Sequence, residues 1–436
     1  MINNTPYFIE NSSKEYVKRK SLEDKICTDV LVVGGGMSGL SVAYNLSKKI
    51  NSRKIILIEG NRIGFGTTGF SSGLLTDSIE EDYFCMEYGV NMEIKSGVDE
   101  IVKVTKEERL DCRLKKVPSL YFCNNYSQSK NIQKEYESRK KDGFDVDLLN
   151  KDHLSNLYGI NAELAMINKE GYCLDPVRFC QELAKRLENK GVRIYESTRL
   201  INYESGEKRA FTQNGCLDYG TLVLTNDSPK LEKTPLFGKT FLLSSSVGVT
   251  KPLTRKQYQE LWRNGEAMGW NGEDFSYFYF RPVDDRLLIG GVDKLISLRD
   301  SRRNRYYNLN NLVKLKELLK ETFPTLKSIS FDNFWTGIIP ESIDSLPFVG
   351  EIKQDHYIGL HNPGLPLAYK SGELISKLIN KETPNSFNYY RYDRPLSLDL
   401  RFRSLVKYQP FTLIANKIIF SLLKLSLKQS PNITKL

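Results

Sequence analysis

The chain is poor in the residues that build metal sites and disulfide frameworks. It has three histidines, His153, His356 and His361, and no Cys/His cluster, which argues against an ordinary metal centre. Its seven cysteines are odd in number, irregularly spaced and without a CxxC pair. That pattern argues against a disulfide framework and for a reducing, cytoplasmic compartment. No apolar run reaches the ~18 residues of a membrane-spanning helix. The first residues, MINNTPYFIENSSKEYVKRK, hold no apolar stretch of signal-peptide length, which argues against secretion. There is no internal repeat and no low-complexity tract. What is present is a globular composition, 40% hydrophobic and 27% charged, over 436 residues. At about 150 residues per domain, that length suggests two or three domains. Sixty-three basic against 53 acidic residues leave a net charge of +10, compatible with nucleic acid, an acidic membrane surface or solubility alone.

Residues 28–48, TDVLVVGGGMSGLSVAYNLSK, carry the first strong signal. Asp29–Val33 suits a buried parallel strand, and Gly34, Gly36 and Gly39 follow in GxGxxG spacing. Leu40, Val42, Ala43 and Leu46 then recur as in a helix. A second apolar run, Ile55–Ile58, ends at Glu59. Each part has a job in a dinucleotide site. Gly34 permits the tight turn, Gly36 lets backbone N–H groups approach a pyrophosphate, and Gly39 lets helix and strand pack closely. The helix N-terminus, opening with Met37 and Ser38, favours the phosphates, and Glu59 accepts from the adenosine ribose.

The following segment, RIGFGTTGFSSGLLT at 62–76, is a loop of glycine, serine and threonine rather than a second helix. Its N–H and hydroxyl donors and bare backbone suit a bulky flat cofactor.

With those residues in view, the chain resembles the D-amino-acid-oxidase-like FAD oxidoreductases, and within them the γ-glutamylputrescine oxidase-like branch. The likeness also rests on EGYCLDPVRFCQELAKRLENKGVRIYE at 170–196 and YFYFRPVDDRLLIGGVD at 277–293. FWTGIIPESIDSLPFVGE at 334–351 and the segment 358–379 complete it. It runs from about Tyr7 to the C-terminal helix. The implied cofactor is FAD, covalently or noncovalently held. By resemblance its contacts include Arg62, Gly66, Thr67, Thr68, Gly69, Ser72 and Gly73, with Thr68 where relatives usually carry Ser. Gly337, Gly364 and Leu365 are added on the ring side, where the N-terminus of a helix containing Gly372 faces the flavin. Trp335 is expected to pack near the flavin edge.

Residues 176–191 read as a helix begun by Pro176 and ended by Gly191, followed by a strand at 192–195. Leu222–Leu224 is a further buried strand ending in Thr225 and Asn226, both expected cofactor contacts. The fold class is therefore α/β: a discontinuous, Rossmann-like FAD-binding domain with a doubly wound, mostly parallel sheet, plus a mixed antiparallel-sheet substrate domain. The expected segments are 27–80, 165–235 and 331–382 for FAD binding, and 81–164 and 236–330 for the substrate cap. Residues 84–112 look mostly helical. Strands at 244–253 and 276–291 pair antiparallel about a turn at Asp284–Asp285, and 340–350 is rich in turns. Cys112 reads as a packed side chain, with nothing nearby to generate a thiolate.

The implied reaction takes hydride from a C–H beside an amine nitrogen to flavin N5, after which the imine hydrolyses. The electrons pass to O2 or another acceptor. Two departures from the family pattern stand out. Amino-acid oxidases often carry GLRP, whose arginine clamps a substrate carboxylate. Here Gly337, Ile338, Ile339 and Pro340 match it, and Ile339 cannot hold a carboxylate. An amine fits better than a free α-amino acid. Relatives also show a GHG element, where this chain has Pro363, with His361 two positions away. Tyr277, Tyr279 and Arg281 alternate on one strand face. Tyr279 is the candidate to bound the amine, Arg281 to pair with a substrate acid, and His361 to act as a base. Each also has an ordinary structural reading, as sheet tyrosine, ion-pair partner or turn histidine.

Other functional classes stay open at this point. One is an FAD enzyme of tRNA modification, against which no RNA-binding module or basic groove is legible. Another is a catalytically lapsed flavin scaffold at a membrane surface. The charge has an address: residues 383–436 hold nine Lys or Arg and two Asp. Within this tail, 411–428 reads as a basic amphipathic helix, placed either against the body or peripherally on the inner membrane surface.

Overall fold

The computed structural model describes residues 2–12, 16–79, 82–226, 236, 239–271, 277–296, 309–326, 329–361 and 363–396. The amphipathic stretch at 411–428 lies outside them. Among the described residues, no helix is long and apolar enough to cross a membrane, and no group of His, Cys, Asp or Glu is arranged to hold a metal ion.

Two eight-stranded sheets dominate. In the first, Lys25–Val33 is central. It pairs in parallel with Ile55–Ile58 on one side and Cys216–Leu224 on the other. Arg193–Tyr195 extends one edge in parallel, and His356–Leu360 extends the other. Antiparallel strands finish the sheet: Phe348–Lys353 beyond His356–Leu360, and Leu200–Glu204 with Arg209–Thr212 beside the start of Cys216–Leu224. The apolar run Ile55–Ile58 is fully buried, as a strand covered on both faces requires. Alternation sends Val30, Val32, Ile55, Leu57 and Val223 to the face covered by helices Met37–Ser47, Tyr88–Glu107, Pro176–Asn189 and Gly364–Ile379. Leu31, Val33, Ile56, Ile58 and Leu222 point the opposite way, toward Leu22, Ala210 and Tyr219.

The helix Pro176–Asn189 shows how locally these elements are specified. Asp175 accepts from the N–H groups of Val177 and Arg178, each at 3.0 Å, and Pro176 opens the first turn. Phe179, Leu183 and Leu187 are buried on one face. Gly191, at φ +100°, releases the chain into the next strand.

The second sheet runs in the order Phe331–Ser342, Thr240–Thr250, Arg286–Ile296, Phe278–Val283, Met268–Asn271, Ser119–Cys123, Leu164–Asn168 and Val146–Asn150. All neighbours are antiparallel except Met268–Asn271 with Ser119–Cys123. One face packs on Leu312, Leu315, Leu319, Leu261 and Phe323. The other looks toward the first sheet.

Residues 165–168 of the strand Leu164–Asn168, and the strand Phe331–Ser342, lie in this antiparallel sheet although they fall in the segments 165–235 and 331–382 expected for FAD binding. The turn-rich reading of 340–350 also gives way at its start, because the strand continues through Pro340 to Ser342. It can do so because it is the edge strand, where a missing N–H leaves no partner unsatisfied.

Candidate active site

The first sheet ends in a crowded turn. Gly34 has φ +116°, and a Cβ there would lie 2.9 Å from Thr225 Oγ1. A Cβ on Gly39 would lie 1.9 Å from the carbonyl oxygen of Gly34, so the helix starts directly on the strand end. That helix, Met37–Ser47, has Gly36 at its N-cap, no side-chain cap and no acid in its first turn. Its first N–H groups are therefore available, apart from that of Met37, which donates to Thr68 Oγ1 at 3.2 Å. Ser38 Oγ, in the same turn, is buried without a partner among the described residues.

Glu59 lies at the end of the neighbouring strand. Its carboxylate accepts from Gly35 N–H at 2.8 Å and Asn61 N–H at 2.7 Å. Burial pushes its pKa above the ordinary value, against the pull of those two bonds. The glycine–threonine loop folds into a single helical turn, Thr67–Phe70, opened by Gly66. Nothing lies within 4 Å of the Cβ that Gly66 lacks, whereas Gly69 packs on the Gly64 carbonyl.

A second uncapped helix start reaches the same place. Gly364–Ile379 begins after Pro363 with no side-chain cap. It is pressed against Met37–Ser47 at Gly372, and Ser41 Oγ donates to Tyr369 O at 2.6 Å. Both N-termini open on one cleft of about 980 Å³. Gly34, Gly36, Met37, Ser38, Glu59, Gly66, Thr67, Thr68, Ser72, Gly73, Thr225, Asn226, Gly337, Gly364 and Leu365 all line it. Gly39 and Gly69 lie just behind, as close-packing positions. Arg62 is turned away, its Nη2 donating to Ile9 O at 3.1 Å, and Trp335 is buried with Nε1 bonded to Phe70 O at 3.0 Å. The arrangement fits a dinucleotide. Two positive helix ends, an orphaned hydroxyl and a held carboxylate face one space, with bare glycines where backbone must approach a ligand.

The opposite wall is the antiparallel sheet. Across it Trp335 pairs with Val247, Val247 with Gly290, Gly290 with Tyr279, Tyr279 with Trp270, and Trp270 with Tyr121. Directly paired residues share a face, so this is one continuous row. Tyr279 lies across Gly290, where a Cβ would meet its ring at 2.1 Å. Tyr277, Tyr279, Trp270, Tyr121, Ile338, Ile339 and Glu341 line the cleft.

Arg281 does not. It is 2% exposed, its Nη1 faces Gly73 O at 3.4 Å, and its guanidinium lies over Phe8, 5.0 Å from the ring centroid. His361, also fully buried, sits at φ +56° with its ring edge-on to Phe348 at 6.1 Å and does not line the cleft. Cys112 is buried, and burial pushes its thiol up to about 11, far from a thiolate at neutral pH. The sequence gives no sign of Asp82, Tyr121, Glu135, Trp270 or Glu341 as lining residues. Only strand register, a distant loop and the helix Ser129–Lys141 bring them here.

Comparison with known proteins agrees with this geometry. The family model described as DAO, FAD dependent oxidoreductase, matches residues 29–378. The chain is 25% identical to the probable oxidoreductase OrdL of Haemophilus influenzae over 378 residues, covering 80% of this chain and 82% of that one. It is 24% identical to the gamma-glutamylputrescine oxidoreductase of Escherichia coli over 400 residues, covering 87% and 90%. Among solved structures, glycine oxidase from Geobacillus kaustophilus superposes with a TM-score of 0.74 at 16% identity, covering 85% of this chain and all of that one. The crowded glycine turn, the two bare helix ends and a family match spanning both sheets converge: the chain belongs to the DAO family of FAD-dependent oxidoreductases, and its cofactor is FAD.

Proposed function

We propose that the protein oxidises the C–N bond of an amine or amino-acid derivative lacking a clamped α-carboxylate, and passes the electrons to O2 or another acceptor. The observation that carries this reading is the wall facing the two helix ends. It is aromatic at Tyr277 and Tyr279, and apolar at Ile339, where an arginine would be needed to hold a carboxylate. The likeness to a gamma-glutamylputrescine oxidoreductase supports an amine as substrate in general terms.

In this reading the first sheet and its loops hold FAD, and the second sheet shapes the substrate space. Glu59 takes the ribose, Ser38 and the N–H groups after Gly36 take the pyrophosphate, and the start of Gly364–Ile379 takes the ring carbonyl side. FAD, when bound, supplies the acceptor for the hydride of the C–H beside nitrogen. The chain supplies position and dryness. Tyr279, fixed over Gly290, bounds the amine, and Ile338 and Ile339 exclude water beside it. Arg281 supports the wall by bridging Phe8 and Gly73 rather than touching substrate, and His361 supports the turn before the second helix.

The test is product analysis. Incubation of the FAD-loaded protein with an N-alkyl amine in air is expected to yield the carbonyl compound and the shorter amine in equal amounts. Turnover of free glycine or alanine in preference to every amine would refute the reading.

A further inference from the structure

Beyond the amine pocket the cleft continues, and its far end has a distinct chemistry. From Tyr279 the lining passes to Trp270 and Tyr121, whose rings stack 5.9 Å apart at 24°. At two strand spacings, Tyr121 lies about 10 Å from Tyr279. The Tyr121 hydroxyl donates to Asp82 Oδ1 at 2.8 Å, holding that carboxylate at the end of the row. Asp82 and Glu135 both line the cleft there. Glu135 shares its counter-ion: Arg139 pairs with Glu135 and with Asp77, each at 2.9 Å. Arg139 thus neutralises Asp77 and Glu135 between them, and the Asp82 carboxylate stands outside that cluster, held by Tyr121. Among the described lining residues the only basic side chain is Lys294, and its ammonium donates to Asn311 Oδ1 at 2.7 Å.

We propose that the cleft takes an extended amine bearing a second cationic group, seated against the Tyr121–Trp270 stack and Asp82 while the first nitrogen lies at Tyr279. The deduction rests on the amine-oxidising reading above and deepens it. Aromatic faces attract a cation through their quadrupole, and a carboxylate fixed beside them adds direct charge attraction. The same lining repels a substrate whose distal end is a carboxylate, so selection comes from repulsion as well as attraction. Asp82 is then a specificity residue remote from the reacting bond.

The experiment follows the absorbance of the FAD-loaded protein under anaerobic conditions on titration with spermidine and, separately, n-butylamine. Perturbation of the flavin spectrum reports binding, and bleaching reports oxidation. Spermidine is expected to bind at least about tenfold more tightly than n-butylamine, and Asp82→Asn to remove most of that advantage while leaving n-butylamine unchanged. Tyr121→Phe, which keeps the ring and frees the carboxylate, is expected to weaken spermidine less than Asp82→Asn does. Equal binding of the two amines, or an Asp82→Asn protein with the advantage intact, overturns the proposal. Binding of spermidine that depends on Asp82 without bleaching by any amine would instead leave the distal site standing and sink the oxidation reading.

Discussion

Gly372 and Ser41 meet without room for a side chain: a Cβ on Gly372 would lie 2.5 Å from the Ser41 Cβ and 2.5 Å from the carbonyl oxygen of Ser38. This contact brings the helices Met37–Ser47 and Gly364–Ile379 together so that both bare N-termini open on one cleft. Gly372→Val should force them apart, costing about 1–3 kcal/mol of stability. The accompanying result is weaker retention of FAD, measured as flavin released on gel filtration, with secondary structure preserved by circular dichroism.

Gly34→Ala tests the turn itself. At φ +116° with Thr225 Oγ1 in the way, the substitution costs about 1–3 kcal/mol of backbone strain and displaces the first N–H groups of the helix. Titration of the apoprotein with FAD should show affinity lowered by tenfold or more. Gly206→Ala, in an exposed turn outside the cleft with nothing within 4 Å of the added Cβ, is the control and should bind FAD as the parent does.

The glycine turn and its helix are legible in the sequence because the conformations they need are local: a positive φ at Gly34 and a missing Cβ at Gly39. The aromatic row is not legible, because its members come from strands whose adjacency depends on register, and a one-residue slip would turn each ring to the other face. Alternation correctly places Tyr279 and Arg281 on one face. It cannot reveal that Phe8, from a helix some 270 residues earlier in the chain, lies under the guanidinium. Pro340 hides a strand for a similar reason, since only the finished sheet shows that it lies on an edge.

Acid should loosen the second helix. Burial alone would raise the Glu373 pKa, but Lys370 at 2.9 Å and Lys377 at 2.5 Å reverse it and hold the carboxyl below its ordinary 4.5. A folded-state pKa below the unfolded value means the stabilisation is present above pH 4.5 and is lost as the pH falls through the lowered value. Thermal unfolding followed across that range should show a steeper acid loss in the parent than in Glu373→Gln, whose midpoint is lower at neutral pH and flatter below. Parallel curves would show that the ion pairs contribute nothing.

Arg139 is 1% exposed and serves Asp77 and Glu135 together. Arg139→Met leaves both carboxylates buried without their counter-ion, which should cost about 3–5 kcal/mol in denaturant unfolding. Adding Asp77→Asn and Glu135→Gln to that variant should restore part of the loss, since the uncompensated charge is then gone.

The amine reading turns on Ile339, and anaerobic reduction of bound FAD tests it most directly. Stopped-flow mixing of the protein with an N-alkyl amine and with the matching N-alkyl amino acid separates binding from reduction. Rapid bleaching by the amine is expected, with slow or absent bleaching by the amino acid and a shift toward the amino acid in Ile339→Arg. Faster reduction by the amino acid in the parent protein, unchanged by Ile339→Arg, would contradict the amine reading.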